Sequence, residues 1–406
     1  MTICISDIGT YLPPWTEAGS RLPGDDEDAV TMAVEAGTAA IGDRDRSAVE
    51  RVVLVTRDLP LLEGGNGAAL LAGLGLSPTV ETVERIGGAP AALDALLSAS
   101  PGTLVIGVDL EPAGAAAALT AETGLQLGAV GRANRSLPVT ARSADGLVHS
   151  YEDPRLLRER GWLASLRAAV PGGRPGAVVG VAPGQAAKLG SGAPLTPPTL
   201  GASAPIFALA ELTARSGSES TILAAAEQAA LTAATVTAAS TVASVTRVEP
   251  AARPVPPKRR SPGPDIPVSL AAYDRAFESK VRWEAARCGG CGTLAFPPRY
   301  RCRHCGSENS WSRAPLPRRA EVYTATSVHV AVPGMATPYD LVIVQLADAD
   351  VRVLARTTAA APGTVSIGDT GRMCLRRVAV RSGVPDYGYA FWPDEVNDHD
   401  EKGASR

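Results

Sequence analysis

Four cysteines in the second half of the chain have the spacing of a metal site. Cys288 and Cys291 form one C-x-x-C pair, and Cys302 and Cys305 form a second pair after ten intervening residues. Each pair places two thiolates close enough to hold one cation, and four sulfur ligands suit the tetrahedral coordination of Zn²⁺. The sequence therefore predicts a structural zinc site with these four cysteines as ligands.

Two other interpretations of the cysteine pairs stay open at this point. Two disulfides would need an oxidising compartment, and the first residues, MTICISDIGTYLPPW, contain no basic segment followed by an apolar core. Redox use of a C-x-x-C motif is the second alternative. Four cysteine ligands would leave no open position for water or substrate, so a bound zinc is expected to be structural rather than catalytic.

The composition indicates a layered α/β protein without a strongly charged surface. The chain has 406 residues, with 39 basic against 42 acidic side chains and a net charge of -3. No global field would therefore attract nucleic acid or an anionic membrane. Aromatic residues make up 4% of the chain, and no run of about 18 apolar residues suits a membrane span. We expect a cytoplasmic protein of two or three domains.

The elements that must position the cysteines follow from shifts in composition. Residues 1–247 alternate short apolar runs with small-residue helical stretches, which is typical of a layered α/β domain. Residues 248–270 carry seven prolines and are predicted to form an extended linker. A helix and the zinc ribbon are predicted for 271–313, a small β-barrel for 314–394, and a charged, disordered tail for 395–406.

Hydrophobic periodicity and end signals predict the individual elements. Predicted helices cover 26–41, 90–100, 203–217 and 271–285, and Gly217 is the expected stop of the third. Predicted strands cover 52–56, 103–110 and 177–182 in the first region, and 321–332, 339–347, 351–358 and 371–380 in the barrel.

Residues 271–393 resemble a zinc-ribbon plus OB-fold family known as domain of unknown function number 35. The resemblance is carried by RCGGCGTLAFPPRYRCRHCGS at the cysteines, by EVYTAT and PYDLVIVQL, and by IGDTGRMCLRRV and YAFWPDE. It implies a rubredoxin-like ribbon and an OB fold that holds acyl-CoA beside a thiolase-type partner. An OB fold alone would suggest nucleic acid, but few aromatic residues, chiefly Tyr323 and Tyr339, could stack on bases.

Residues 1–247 resemble the ketoacyl synthase and hydroxymethylglutaryl-CoA synthase branch of the thiolase superfamily. The matching stretches are ISDIGTYLPPW, DDEDAVTMAVEAGTAAI, RVVLVTRDLPLLEGGNGAALLAGLGL and PPTLGASAPIFALAEL. This resemblance implies an αβαβα layered fold of two stacked halves, with a subunit dimer across one sheet edge. Active members use a cysteine nucleophile at a helix N-terminus, with a histidine and an asparagine or second histidine around the thioester oxygen.

The positions that match this catalytic set carry residues without the required chemistry. The segment TVERIGGAPAALDAL places Arg85 or Ile86 at the nucleophile position, and neither side chain can be acylated. The segment VAPGQAAKL places Gly184 at the histidine position and Ala187 at a ketoacyl-synthase asparagine position. In PPTLGAS the asparagine position falls on Pro198. The resemblance therefore implies a domain that has lost its catalytic residues.

A simple inventory of residues leads to the same expectation without an alignment. No cysteine occurs between residues 5 and 287, and Cys4, at the start of the first strand, is interpreted with Cys374 as a buried free thiol. His149 is the single histidine of this region, and we expect it to have a surface or packing role. Asp58 and Glu63 lie near the expected position of a synthase glutamate, but without a thiolate they are interpreted as capping or solvating a turn.

These observations predict an auxiliary subunit without catalysis of its own. It would assemble with an active thiolase or ketosynthase as a hetero-oligomer and support acyl-CoA binding or transfer. The expected ligands are structural Zn²⁺ and acyl-CoA or CoA, and neither a membrane nor nucleic acid is expected as a partner. Two alternatives stay open: an acyltransferase, condensing enzyme or retro-aldolase with a site built without cysteine, and an OB-fold nucleic-acid-binding protein.

Overall fold

The computed structural model describes residues 2–142, 147–151, 153–215, 220–238, 243–260, 262–264, 267, 269–308, 311–330 and 335–394. These residues fall into two units, of which the first comprises Met1–Pro23 and Asp28–Ala252 and the second comprises Gly24–Glu27 and Arg253–Arg406. The division near residue 252 lies within the proline-rich segment 248–270. The tail predicted at 395–406 lies outside the described residues. Within the ranges given above, no helix is long and apolar enough to span a membrane.

The first unit contains strands and helices in alternation. The strands are β1 (Thr2–Tyr11), β2 (Trp15–Glu17), β3 (Ser20–Arg21), β4 (Arg51–Thr56), β5 (Glu81–Ile86), β6 (Thr103–Leu110), β7 (Ala113–Ala121), β8 (Leu125–Ala133), β9 (Thr140–Arg142), β10 (Val148–Ser150), β11 (Ala177–Val179), β12 (Thr221–Glu227), β13 (Ala230–Thr237) and β14 (Ser244–Val248). The helices are α1 (Ala29–Ile41), α2 (Asn66–Leu74), α3 (Ala89–Leu97), α4 (Pro154–Leu156), α5 (Leu163–Ala169), α6 (Pro183–Leu189) and α7 (Ala204–Ala214). A 3₁₀ turn at Arg46–Ala48 and a π-helical segment at Leu157–Trp162 complete the unit.

One large sheet runs through the first unit with β1 at its centre. Its strand order is β11-β12-β13-β8-β1-β7-β6-β4-β5, and β14 also pairs with β1. The residues Thr2–Ile5 pair antiparallel with β8, Cys4–Tyr11 pair antiparallel with β7, and Asp7–Tyr11 pair parallel with β14. The register with β7 shifts between Ile5 and Asp7, as at a β-bulge. This irregularity lies where the partner on the other side of β1 changes from β8 to β14.

Two helices, α3 and α7, lie between the two halves of this sheet. α3 contacts β4 and β6 as well as β12 and β13, and it also contacts α7. Successive residues of β12 face opposite layers: Leu223 and Ala225 belong to the core around α3 and α7, whereas Ala224 and Ala226 belong to a second core with α5 and α6. α1 packs on β1, β6 and β7, and α2 contacts β5. The unit therefore has the αβαβα layering that the sequence predicted.

Small residues allow these layers to approach each other closely. A Cβ atom added at Gly9 of β1 would lie 2.2 Å from the carbonyl oxygen of Ala36 and 2.3 Å from the nitrogen of Ala40 in α1. The strand β7 has the sequence AGAAAALTA and is buried at every residue except Ala121. Alanine has a low strand propensity, so its abundance here reflects the short spacing between the sheet and its helices.

The clearest sequence signals in the first unit correspond to observed elements. β4 and β6 cover the strands predicted at 52–56 and 103–110, and α3 and α7 match the helices predicted at 90–100 and 203–217. The expected stop at Gly217 lies outside the described residues. α1 starts at Ala29 rather than residue 26 because Asp28 and Thr31 form a capping box. The strand predicted at 177–182 ends early, at Val179, because Gly180 has a left-handed φ of 85°.

The second unit contains one helix, α8 (Leu270–Lys280), and several short sheets in its described part. Its strands are β15 (Arg253–Pro254), β16 (Arg259–Arg260), β17 (Glu284–Cys288), β18 (Leu294–Ala295), β19 (Trp311–Pro315), β20 (Arg319–Val328), β21 (Ala336–Thr337), β22 (Tyr339–Leu346), β23 (Arg352–Arg356), β24 (Thr370–Arg381) and β25 (Val384–Pro393). One sheet has the order β18-β17-β19, and another has the order β23-β22-β20-β24-β25. β16, within the predicted linker, pairs with β21.

The five-stranded sheet closes partly on itself. Its end strands approach each other at one parallel bridge between Thr357 and Phe391, where the Thr358 N–H donates to the Phe391 carbonyl at 2.9 Å. Val322, Val342 and Phe391 are almost fully buried inside. This arrangement is the small barrel that the sequence predicted, and β20, β22, β23 and β24 correspond to its four predicted strands, with part of 321–332 outside the described residues.

One prediction for the second unit needs correction, and one strand was not predicted from periodicity. The helix predicted at 271–285 ends at Lys280, and Glu284–Cys288 forms β17 instead, because these residues pair with β19. Trp283 makes the turn between them with a φ of 60°, and its ring stacks on Tyr389 at 4.5 Å. β25, absent from the strands predicted by periodicity, forms the last strand of the barrel.

Candidate functional site

The two cysteine pairs lie on two backbone turns of the same design. The Gly292 N–H donates to the Cys288 carbonyl at 2.8 Å, and the Gly306 N–H donates to the Cys302 carbonyl at 3.1 Å. Both glycines have a φ of 75°, a left-handed conformation that side chains other than glycine seldom adopt. Each turn therefore folds the chain tightly around two sulfur atoms, which explains why a glycine follows the second cysteine of each pair.

The four sulfur atoms form a cluster of the size that one zinc ion requires. All four lie within 4.8 Å of one another, and the Sγ atoms of Cys288 and Cys305, like those of Cys291 and Cys302, are 3.6 Å apart. A tetrahedral site with Zn–S bonds of about 2.3 Å separates its sulfurs by about 3.8 Å. All four are free thiols rather than disulfides. The set fits structural zinc with every coordination position filled by protein.

Electrostatics within the cluster explain why a cation belongs there. Hydrogen bonds from the Thr293 hydroxyl and backbone N–H lower the pKa of Cys291 to about 5. The Ser307 backbone N–H also favours the thiolate of Cys305, but the neighbouring thiols and burial outweigh it and raise the pKa of Cys305 to about 12. The pKa values of Cys291 and Cys305 thus move in opposite directions, and a divalent cation would allow all four cysteines to ionise.

Aromatic and charged residues support the ribbon within the second unit. Trp283 packs edge-on against Phe296 at 5.3 Å, and its indole N–H donates to the Pro317 carbonyl at 3.1 Å. Glu278 of α8 pairs with Arg313 of β19 at 2.8 Å. The chain before and after the cysteines is therefore fixed by contacts that do not involve the sulfur atoms.

The predicted nucleophile position lies at the end of β5. Arg85 is 3.8 Å from Asp94, and the side chain of Ile86 is 65% exposed. α3 begins directly afterwards, with Gly88 as its N-cap. The structure thus has a strand, a tight turn and a helix N-terminus at this place, and the assignment of Arg85 or Ile86 to a nucleophile position stays a prediction.

An ion pair that sequence reasoning missed lies beside the start of α3. The guanidinium of Arg57, just after β4, pairs with the carboxylate of Glu227 at the end of β12. A Cβ atom at Gly88 would collide with both groups, and one at Gly180 would lie 2.9 Å from the Cβ of Ala89. The turn after β11 and the ends of β4 and β12 therefore meet at this helix N-terminus. No sequence signal links two charged residues that are 170 positions apart.

The other predicted positions are distributed over separate elements. Gly184 and Ala187 lie in α6, and Pro198 lies in the half-buried loop before α7. Asp58 pairs with Arg142 of β9 at 3.5 Å, while His149 is exposed on β10 opposite Ala141. Glu63 is exposed in the turn before α2. The assignment of lost catalytic roles to these positions stays a prediction.

Asp109 is a buried acid that the sequence did not single out. Its carboxylate accepts hydrogen bonds from the backbone N–H groups of Ala202 at 2.7 Å and Ser203 at 2.9 Å, and from the Ser203 hydroxyl at 2.6 Å. Burial raises the pKa of Asp109, although these hydrogen bonds and the charge of Arg57 oppose the shift. The contacts anchor the start of α7 to the end of β6.

Two protein-family models match the second unit. The rubredoxin-like zinc ribbon domain of ChsH2 matches residues 282–310, and the C-terminal OB-fold domain of ChsH2 matches residues 314–376. These matches contain all four cysteines and most of the barrel. The predicted zinc ribbon and OB fold are therefore confirmed.

Curated relatives resemble about a quarter of the chain. A DUF35 domain-containing scaffold protein of Methanocaldococcus jannaschii is 33% identical over 113 residues, which are 27% of this chain and 79% of that protein. The benzoylsuccinyl-CoA thiolase subunit BbsA of Thauera aromatica is 32% identical over 106 residues, which are 26% of this chain and 72% of that subunit.

A solved structure also resembles a large part of the chain. The HMG synthase of the curacin biosynthetic pathway is 14% identical, with a TM-score of 0.47, over 59% of this chain and 81% of that protein. With a ribbon and an OB fold in the family's order, and a DUF35 relative matched over 79% of its length, this chain belongs to the DUF35 domain family.

Proposed function

We propose that this protein is an auxiliary, non-catalytic subunit of a thiolase-type complex. One observation carries the proposal: β5 is followed by a turn and the N-terminus of α3, and neither residue at the predicted nucleophile position, Arg85 or Ile86, has a side chain that can be acylated. No cysteine occurs between residues 5 and 287. A layered domain that lacks this nucleophile is suited to binding a partner rather than to catalysis, because acyl transfer of this kind needs a thiolate.

The names of the relatives support an assembly role. One relative is a DUF35 domain-containing scaffold protein, and another is a subunit of benzoylsuccinyl-CoA thiolase. By analogy, the ribbon and barrel of this chain would support acyl-CoA binding or transfer to a partner that has an intact active-site cysteine. In this arrangement zinc stabilises the ribbon and takes no part in the reaction.

The exposed edge of the first unit is where we place the partner. β5 is the last strand of the large sheet, each of its residues is exposed or half-buried, and within the described chain no strand pairs with its outer side. Two apolar residues, Ile86 and Leu62, are 65% and 68% exposed and add apolar surface. An edge strand with free backbone groups can pair with a strand of another subunit, so a thiolase-like partner would extend the sheet from β5.

The proposal is tested by purifying the tagged chain from its native host. We expect a thiolase-family protein with an intact nucleophilic cysteine to co-purify in a fixed ratio. The isolated chain, incubated with acetyl-CoA, is expected to keep its intact mass. A stoichiometric acyl adduct on the isolated chain would contradict the proposal.

The same preparation separates the two alternative functions. Turnover of acyl-CoA by the isolated chain, abolished by Asp58→Ala or His149→Ala, would favour an enzyme with a site built without cysteine. Binding of single-stranded oligonucleotides that weakens steeply with salt would favour a nucleic-acid role. Either result would replace the auxiliary function.

A further inference from the structure

An apolar groove borders the outer face of the barrel sheet. It has a volume of about 550 Å³. Its lining includes Leu341 of β22 and Leu354 of β23, together with Phe296 and Pro297 of the ribbon and the buried side chain of Trp283. All residues that line the groove belong to the second unit.

The strand register places a defined set of side chains on this outer face. Directly opposed residues of paired strands point to the same side of a sheet. Three such pairs of β22 and β23 share the outer face: Leu341 with Arg356, Ile343 with Leu354, and Gln345 with Arg352. The intervening residues Val342 and Val344 are fully buried inside the barrel, whereas Leu354 is 66% exposed. The outer face therefore has an apolar centre with a cation on either side.

Two tyrosine rings position these cations. Arg352 lies over the ring of Tyr323 at 3.7 Å, and Arg356 lies over the ring of Tyr339 at 4.5 Å. A guanidinium is attracted to the electron-rich face of an aromatic ring. Within the described chain, no carboxylate forms an ion pair with either guanidinium. The fold thus fixes two positive charges on this face and does not neutralise them.

The residues of this face favour a protein as its partner over a nucleic acid. Protein interfaces are enriched in arginine and tyrosine around an apolar centre. A single-stranded nucleic acid stacks its bases on open aromatic rings, but a guanidinium covers one side of Tyr323 and one side of Tyr339. The apolar side chains of Ile343 and Leu354 cannot bind a phosphate. A partner with acidic and apolar side chains suits the whole face.

A helix suits this face better than an added strand does. β25 meets β23 at the bridge between Thr357 and Phe391, so the edge of β23 near Arg356 is closed to another strand. Arg352 and Arg356 are separated along β23 by about 13 Å, at about 3.3 Å per residue. Residues i and i+7 of a helix lie on one side about 10.5 Å apart, a distance that long acidic side chains can extend. Residues i+3 and i+4 lie between them on that side.

We propose that the outer face of β22 and β23 is a docking site for an amphipathic helix of a partner protein, with the pattern acidic-x-x-apolar-apolar-x-x-acidic. The two acidic side chains would pair with Arg352 and Arg356. The two apolar side chains would pack on Leu354 and enter the groove beside Leu341. Burial of the apolar side of the helix would give affinity, and the charges would fix its position along the sheet. This site does not depend on the function proposed above, which places its partner at β5.

A second copy of this chain is a poorer occupant of the face. Two copies packed face to face would bring Arg352 and Arg356 of each chain against the same residues of the other. Four cations would then be partly removed from water without a counter-charge, and their repulsion would oppose the contact. The uncompensated cations instead favour an acidic helix.

The test uses the full zinc-loaded chain and a fluorescently labelled, capped peptide, Ser-Ala-Ala-Glu-Ala-Ala-Leu-Leu-Ala-Ala-Glu-Ala-Ala-Lys. We expect saturable binding by fluorescence anisotropy. The control is the isomer Ser-Ala-Ala-Ala-Ala-Glu-Leu-Leu-Glu-Ala-Ala-Ala-Ala-Lys, which has the same composition but carries both glutamates on the opposite side of the helix. It should bind about tenfold more weakly or worse, because its charges cannot reach the two arginines while its leucines face the groove.

Substitutions in the protein test the same face. Leu354→Ser should weaken binding about tenfold through the loss of apolar contact. Val380→Ser is the matched control, since Val380 is a 54% exposed apolar residue of β24 that does not line the groove. It should change binding by less than about twofold. Both variants should keep the thermal midpoint of the unmodified chain, because the altered side chains are exposed.

Charge reversal provides a gain of binding that a folding defect could not produce. The double variant Arg352→Glu, Arg356→Glu should reject the glutamate peptide and bind the counterpart in which both glutamates are lysines. Equal binding of the two glutamate isomers, or no saturable binding, would overturn the proposal. Tighter binding of oligothymidylate than of the glutamate peptide would assign the face to nucleic acid instead. Dimerisation of the chain that Leu354→Ser abolishes would assign it to a second copy.

Discussion

At the scale of single residues, the four ribbon cysteines combine close packing with unequal protonation. Their sulfur atoms lie within 4.8 Å of one another, and in this arrangement the pKa of Cys291 is lowered to about 5 while that of Cys305 is raised to about 12. A cation that neutralises the thiolates would allow all four cysteines to ionise. The free energy of metal binding then contributes directly to the folding of the ribbon.

Replacing one ligand should therefore remove both the metal and the local fold. We expect Cys302→Ser to lower bound zinc from one ion per chain to nearly none, because three thiolates cannot complete the tetrahedral site. Cys374→Ser is the matched control, since Cys374 is a buried thiol of β24 outside the ribbon. Zinc content by mass spectrometry and the resistance of residues 284–315 to proteolysis are the measurements. A Cys302→Ser variant that retains one zinc would contradict the structural site.

At the scale of elements, backbone contact between layers decides which substitutions are tolerated. Gly9 of β1 faces the backbone of α1, and an added Cβ would approach Ala36 and Ala40 within 2.3 Å. Neither a strand in the middle of the sheet nor a helix packed on it can move without disturbing its neighbours. Small residues at such contacts are therefore part of the architecture.

Gly9→Ala should destabilise the first unit by about 3 kcal/mol or more, because overpacking against backbone cannot be relieved by side-chain rotation. Gly184→Ala is the matched control: nothing lies within 4 Å of the added Cβ, and the position is within α6. Alanine in a helix is expected to stabilise by up to about 1 kcal/mol over glycine. Urea unfolding monitored by circular dichroism measures both, and equal effects of the two substitutions would refute the packing argument.

The elements differ in how far the sequence could predict them. β4 and β6, with valine, leucine and isoleucine in short runs, were predicted because their side chains match strand propensity. β7, β12 and β13 escaped prediction because they are rich in alanine, which periodicity cannot separate from a helix.

The residues of the candidate sites also differ in whether the local sequence could reveal them. The zinc ligands were evident because four cysteines lie within eighteen consecutive residues. The pair of Arg57 with Glu227 and the anchor of Asp109 on Ser203 join residues far apart in the chain, and only the fold brings them together. The early end of α8 likewise depends on the pairing of β17 with β19.

At the scale of the whole molecule, the proposed function predicts that a surface change at β5 should affect assembly but not folding. Ile86→Lys should weaken co-purification of the thiolase-like partner by about tenfold, because a charge would be buried in an apolar contact. Ala187→Lys is the control, since Ala187 is exposed on α6, in the outer layer beyond β11. The thermal midpoint of each variant should match that of the unmodified chain. Unchanged recovery of the partner with Ile86→Lys would exclude β5 as the contact.

The position of β1 in the first unit also governs the order in which that unit can be completed. β1 leaves the ribosome before the other described strands of the first unit, yet one of its partners is β14, at residues 244–248. Pairing between distant parts of a chain must first overcome the entropy of closing a long loop, and such topologies fold slowly. During synthesis, β1 can therefore pair with β14 only after nearly all of the first unit has been made.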